Sequence, residues 1–125
     1  MTQLSLSLPS EPSSGGTARA AIRERFGSVL DRAGFADLEL VVSELVTNAV
    51  EHGSGAIRVD VKHRGGEIRG SVSDAGAGFD YALRSFDGGA NRGRGLAIVD
   101  ALVTRWGIRE GSTQVWFVMR LATAL

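Results

Sequence analysis

Residues 75–92 form a long irregular stretch in a chain whose other segments follow regular helix and strand patterns. Any fold of this chain has to accommodate that stretch between a strand and a helix. The stretch has no clean hydrophobic period, and it is rich in glycine at and near its two ends. A structureless loop of about 17 residues is uncommon in a compact domain and is usually functional or disordered. We therefore expect a functional loop inside a regular domain.

Hydrophobic periodicity divides the rest of the chain into strands and helices. The predicted strands cover residues 4–8, 56–62, 67–73, 105–110 and 114–121. The predicted helices run from Thr17 to Ala33, from Asp37 to His52, and from Gly95 to Thr104, and residues 10–16 form a connector. This order predicts an α+β fold, a two-layer sandwich whose mixed, mainly antiparallel sheet carries the helices on one face.

Composition narrows the class of protein. A length of 125 residues predicts a single domain over residues 1–125, with residues 1–16 as its first strand and connector. The chain has no cysteine, which excludes disulfides and thiolate chemistry. It also has no apolar run long enough to span a membrane as a helix. Formal net charge is zero, so nothing favours nucleic acid or an anionic membrane as partner. We expect a cytoplasmic protein.

The second predicted helix carries a polar row. Glu44, Asn48 and His52 are spaced four residues apart, so they line up along the rim of the apolar face. Such a row indicates side chains that line a cleft between this helix and its neighbour. A solvated flank that ends at Gly53 as C-cap has the same spacing.

A second motif, Asp74-Ala75-Gly76-Ala77-Gly78, directly follows a predicted strand. A carboxylate at a strand end can accept a hydrogen bond from the amino group of a base, and glycines let a flat ligand approach the backbone. An ordinary turn led by aspartate uses the same residues.

The third motif, Arg92-Gly93-Arg94-Gly95-Leu96, leads into the last helix. Glycines at a helix N-terminus leave free N–H groups for an anion, and arginine side chains suit phosphate. A flexible entry with two solvated arginines fits equally well. The lone lysine, Lys62, is not in a Gly-Lys-Ser/Thr sequence, so a P-loop is excluded.

Taken in order, the three motifs resemble those of the GHKL (Bergerat-fold) ATP-binding domains, and the resemblance spans nearly the whole chain. A GHKL domain of this size, with no phosphoacceptor helix pair before it and no further domain after it, looks like the anti-sigma factor serine/threonine kinases of the RsbW and SpoIIAB type. The resemblance implies ATP and Mg²⁺ as cofactors.

The resemblance also implies roles for individual residues. Asp74 would contact the adenine amino group, with Gly76 and Gly78 beside the nucleoside. Asn48 would be the Mg²⁺ ligand, and Glu44 would be the general base.

Further roles fall on the third motif and the loop before it. Gly93, Gly95 and Leu96, at the start of the helix, would hold the phosphates. Either Arg92 or Arg94 would support the transferring phosphate, and residues 75–92 would form the lid over ATP.

The resulting hypothesis is an ATP-Mg²⁺-dependent protein kinase that binds a sigma factor and phosphorylates an anti-anti-sigma (STAS) antagonist. The alternative is a non-catalytic ATP/ADP-binding switch that sequesters a regulatory partner. A plain α/β adaptor without nucleotide would require all three motifs to be coincidental. The alternating first strand is a suitable edge for pairing two copies, which makes a homodimer a further expectation.

Overall fold

A computed structural model describes residues 1–76, 94–109 and 112–121 of the chain. Its elements follow the predicted order. They are β1 (Thr2–Leu8), α1 (Ser14–Phe26), α2 (Arg32–His52), β2 (Ile57–Arg64), β3 (Glu67–Ser73), α3 (Arg94–Leu102), β4 (Arg105–Ile108) and β5 (Val115–Arg120).

The strands form one sheet in the order β1-β2-β3-β5-β4, and each neighbouring pair is antiparallel. A tight turn at Gly65 and Gly66 joins β2 to β3, and Gly65 has the positive φ of 61° that favours glycine. The α+β fold with a mainly antiparallel sheet is thus confirmed.

The helices pack on one face of the sheet, as predicted. Alternate residues of the strands point towards them, and Ile57, Val59 and Val61 of β2 are almost fully buried. The helices contribute Ile22 and Phe26 from α1, together with an apolar side of α2, to the same core. This packing fixes α2 across β2 and β3.

The predicted boundary between the first two helices is wrong. α1 already ends at Phe26, and Asp31 caps α2, where its carboxylate accepts a hydrogen bond of 2.7 Å from Gly34 N–H. Gly34, the first residue after the predicted first helix, lies in the first turn of α2, so Asp37 is well inside that helix. A glycine after an apolar run indicates a helix end only where no capping residue precedes it.

The connector is also shorter than predicted, because residues 14–16 belong to α1. Ser14 is buried, and its hydroxyl donates a 2.6 Å hydrogen bond to the Pro9 carbonyl, which draws the helix start back onto the end of β1. The other differences are shifts of a few residues at element ends. Of the helices that the structure describes, none combines the length and the hydropathy that a membrane span requires.

Candidate functional site

The C-terminal end of α2 and the end of β3 are tied together by the backbone. Ala75 N–H donates a hydrogen bond of 2.8 Å to the Ser54 carbonyl, and Ser54 N–H lies 3.4 Å from Asp74 Oδ1. Gly53 ends the helix by donating to the Ala49 carbonyl at 2.9 Å. The first two motifs of the sequence therefore meet at one place in the fold.

Two glycines make room for the Asp74 carboxylate. A Cβ at Gly53 would collide with Asp74 Oδ2, and a Cβ at Gly76 would lie 2.8 Å from Asp74 Oδ1. Gly76 N–H also donates to Oδ1 at 2.7 Å, which fixes the carboxylate. Neither glycine has a positive φ, so the need here is for space and not for a special backbone conformation.

Thr113 holds the backbone of Asp74, and the sequence motifs gave no indication of this. The Thr113 side chain is 2% exposed; its Oγ1 accepts from Asp74 N–H at 3.1 Å and donates to the Asp74 carbonyl at 2.9 Å. The pairing of β3 with β5 places Val72 opposite Val115, so residue 113 falls opposite residue 74. Only that register could have revealed the contact.

A cavity of about 320 Å³ opens beside these residues. Asp74 lines it together with Thr113 and Arg109, so the carboxylate lies in the wall of a space that a small molecule can enter. An anionic acceptor in such a wall can orient the amino group of a planar ligand, and a wall glycine such as Gly76 admits close approach.

Asn48 has an unpaired polar group inside the protein. Its side chain is 7% exposed, and its Nδ2 has no hydrogen-bond partner among the described residues. Most buried polar groups are satisfied, so an orphan of this kind needs an explanation. A carboxamide oxygen is also a ligand type that suits Mg²⁺, which takes few protein ligands and completes its shell with phosphate and water.

Glu44 and His52 continue the row along α2. Glu44 is half-buried one turn before Asn48, which places both on the same side of the helix. His52 is the last helical residue; its side chain is 24% exposed, and its Nε2 lies 3.7 Å from Glu51 Oε1. The row therefore ends next to Gly53, and Gly53 lies against the Asp74 carboxylate.

The third motif is described only in part. Gly78, Arg92 and Gly93 lie outside the described residues, as do residues 77–92 of the expected lid. Arg94 and Gly95 begin α3, as predicted for a helix start. Leu96 is 1% exposed in the core, so its side chain anchors the helix and only its backbone is available to a ligand.

The sequence matches the family described as "Histidine kinase-like ATPase domain" over residues 8–120. Two curated Mycobacterium tuberculosis relatives, "Sensor histidine kinase component HK1" (strain ATCC 25618 / H37Rv) and "Probable sensor histidine kinase HK" (strain CDC 1551 / Oshkosh), are each 37% identical over 87 residues. The aligned part is 61% of this chain and 52% or 23% of the relative. The chain thus spans about half of one relative and less of the other.

A solved structure has the same fold. It contains the RsbU and RsbW domains of Rv1364c from Mycobacterium tuberculosis, and it superposes with a TM-score of 0.70 at 28% sequence identity. The match covers 98% of this chain and 35% of that one. The similarity therefore extends over the whole element order and not only over the motifs.

Proposed function

Because the chain belongs to the family of histidine kinase-like ATPase domains, we propose that it binds ATP with Mg²⁺ where α2 meets β3 and phosphorylates serine or threonine in a partner protein. The buried Asn48 side chain, whose Nδ2 has no partner among the described residues, is the observation that carries this proposal. Nδ2 is a donor, so an acceptor such as a phosphate oxygen would complete it and leave the amide oxygen for Mg²⁺. The space kept for the Asp74 carboxylate by Gly53 and Gly76 supports the same site.

The described residues divide the binding task. Asp74 accepts a hydrogen bond from the adenine amino group, and Thr113 keeps the Asp74 backbone in place. Asn48 offers its amide oxygen to Mg²⁺. The N–H groups at the start of α3, which includes Gly95, would hold the phosphates, since a helix N-terminus favours an anion. The resemblance gives the same role to Gly93, which lies outside the described residues.

Glu44 acts as the general base. ATP with Mg²⁺ supplies the phosphoryl group. As the substrate hydroxyl oxygen bonds to the γ-phosphorus and the bond to the β–γ bridging oxygen breaks, Glu44 takes the hydroxyl proton. One turn separates Glu44 from Asn48, so base and metal ligand share one helix face. Phosphoryl transfer depends mainly on such positioning and on charge neutralisation, to which Arg92 or Arg94 would add.

The proposed partners are a sigma factor and a STAS-type antagonist in the cytoplasm. The structural likeness to a chain with an RsbW domain supports this choice over the two-component chemistry suggested by the names of the curated relatives. The free edge of β1 would serve the pairing of two copies.

A transfer assay with labelled ATP, Mg²⁺ and a STAS-domain protein tests the proposal. We expect acid-stable label on the STAS protein, as phosphoserine and phosphothreonine survive acid. Glu44→Gln should abolish the transfer and keep ATP binding. Glu51→Gln is the matched control, because Glu51 is on the same helix with its side chain 61% exposed and outside the row.

The other outcomes are equally informative. Acid-labile label would indicate phosphohistidine and contradict the serine/threonine assignment. ATP binding without any transfer would favour the non-catalytic switch that sequesters its partner. Equal loss of ATP binding and transfer in Glu44→Gln would contradict the role of Glu44 as base.

A further inference from the structure

The outer face of the sheet, opposite the helices, concentrates positive charge. Cross-strand partners share a face, so the register assigns six cationic side chains and two carboxylates of the strands to it. The cations are Arg58, Lys62, Arg64, Arg69, Arg105 and Arg120, and the carboxylates are Asp60 and Glu67. This imbalance stands on a chain whose formal net charge is zero.

Both carboxylates of the outer face are already paired within it. Asp60 accepts from Arg58 Nε at 3.0 Å, and Glu67 accepts from Arg69 Nε at 2.6 Å. The hydrogen bond from Arg69 lowers the pKa of Glu67, and the guanidiniums of Arg69, Arg120 and Arg105 lower it further. Several arginines are thus close enough to act on one carboxylate.

The remaining cations have no carboxylate in ion-pair contact within the described ranges: these are Lys62, Arg64, Arg105 and Arg120. Lys62 lies directly opposite Arg69 in the register of β2 and β3. Like charges in directly opposed positions destabilise a sheet. Glu67 already offsets the charge of Arg69, so an anionic partner would act mainly on Lys62 at this position.

The face also has an apolar centre. The indole of Trp116, which is 36% exposed, lies over Gly107, where an added Cβ would be 2.7 Å from the ring. Val118, next to it on the same face, is only 5% exposed, because its opposed neighbours Arg69 and Arg105 have long aliphatic stems. Tryptophan and arginine together are the residue types enriched where proteins bind each other.

A shallow hollow of about 450 Å³ runs across the middle of this face. Trp116 and Arg69 form one side of it, and Lys62 and Ser5 form the other. We propose that this face docks an acidic segment of a partner protein, with carboxylates on the unpaired cations and an apolar side chain against Trp116. Charge complementarity selects this occupant, and it argues against a second copy docked face to face through like charge.

A polynucleotide fits less well. Nucleic-acid-binding domains are usually basic overall, whereas this chain has a pI near 6.7 and places Asp60 inside the hollow. The face lies opposite α2, so the proposal does not depend on nucleotide binding. Its failure would leave the proposed kinase function untouched.

Fluorescence anisotropy without nucleotide tests the docking proposal. The probe is a fluorescein-labelled glutamate-rich peptide with one central leucine. We expect the wild-type protein to bind it, with affinity falling as salt rises. Reversing two unpaired charges, in the double variant Lys62→Glu and Arg105→Glu, should weaken binding by about tenfold or more, since charge repulsion replaces attraction.

Two further variants complete the test. Trp116→Ala should also weaken peptide binding, and Arg32→Glu, an exposed charge reversal at the start of α2, should not. Circular dichroism checks that every variant is folded, and Lys62→Gln with Arg105→Gln replaces the charge reversal if it is not. No binding by the wild type, equal binding by all variants, or tighter binding of single-stranded DNA of equal length would overturn the proposal.

Discussion

At the scale of single residues, the position of the Asp74 carboxylate depends on empty space as much as on hydrogen bonds. Gly53 and Gly76 both lie against this carboxylate. A side chain at either position would require the backbone or the carboxylate to move. A glycine that is required for space tolerates alanine poorly, whatever its φ, because the added methyl has to displace its neighbours.

We predict that Gly53→Ala weakens ATP binding and lowers the free energy of unfolding by about 1–3 kcal/mol, because the methyl collides with the carboxylate. Urea denaturation and calorimetric titration measure the two effects. Gly66→Ala is the control, because a Cβ there meets nothing within 4 Å and should change stability by less than about 0.5 kcal/mol. Equal behaviour of the two variants would contradict the packing argument.

Sequence spacing was sufficient to place Asn48 on a helical row and Asp74 after a strand, because both are local patterns. It could not find Thr113. The hydrogen bonds from Thr113 to the Asp74 backbone exist because β3 pairs with β5, a contact between segments about 40 residues apart that no local pattern encodes.

At the scale of elements, the start of α2 is set by the capping residue Asp31, although Gly34, which follows it in the first turn, is a residue type that often ends helices. Asp31 accepts from Gly34 N–H and begins a helix of 21 residues that carries the row from Glu44 to His52. The sequence order of elements was predictable because each strand and helix has its own periodicity. The helix boundary was not, because Asp31 and Asp37 both have a side chain that can cap.

We predict that Asp31→Ala lowers the free energy of unfolding by about 1 kcal/mol, since it removes the capping hydrogen bond of α2. Asp37→Ala should change it by less than about 0.5 kcal/mol, because Asp37 lies inside the helix. Thermal or urea denaturation of both variants checks this. A larger effect at Asp37 than at Asp31 would restore the boundary expected from the sequence.

β3 illustrates a second packing requirement at the same scale. A Cβ at Gly70 would collide with the ring of Phe117, so the ring lies over the glycine on the core side of the sheet. Phe117 is opposite Gly70 in the register of β3 and β5. This pair packs β3, which Asp74 directly follows, against β5, which begins shortly after Thr113, and so supports the backbone of the site.

At the scale of the whole molecule, zero net charge conceals a basic outer face of the sheet. The rest of the chain offsets that surplus, in part through Asp37, Glu39, Glu44 and Glu51 of α2. Composition gave no indication of a charged partner because it sums over the whole chain. Register is what assigns each charge to a face, so the acidic partner proposed here could be inferred only once the strands were paired.

The molecule has two regions of interest. The junction of α2 and β3 holds the Asp74 carboxylate beside Gly53, with Asn48 about one turn earlier on α2, and the outer face carries Trp116 among unpaired cations. Family membership connects the fold to ATP, and nothing about the outer face follows from it. The two regions can therefore be tested separately.

The central claim is that ATP binds at the junction of α2 and β3, and calorimetric titration with ATP, with and without Mg²⁺, tests it most directly. We predict Mg²⁺-dependent binding to the wild type that Asp74→Asn abolishes and Asp60→Asn, on the outer face, leaves unchanged. Binding that survives Asp74→Asn intact, or a wild type that binds no ATP, would contradict the account.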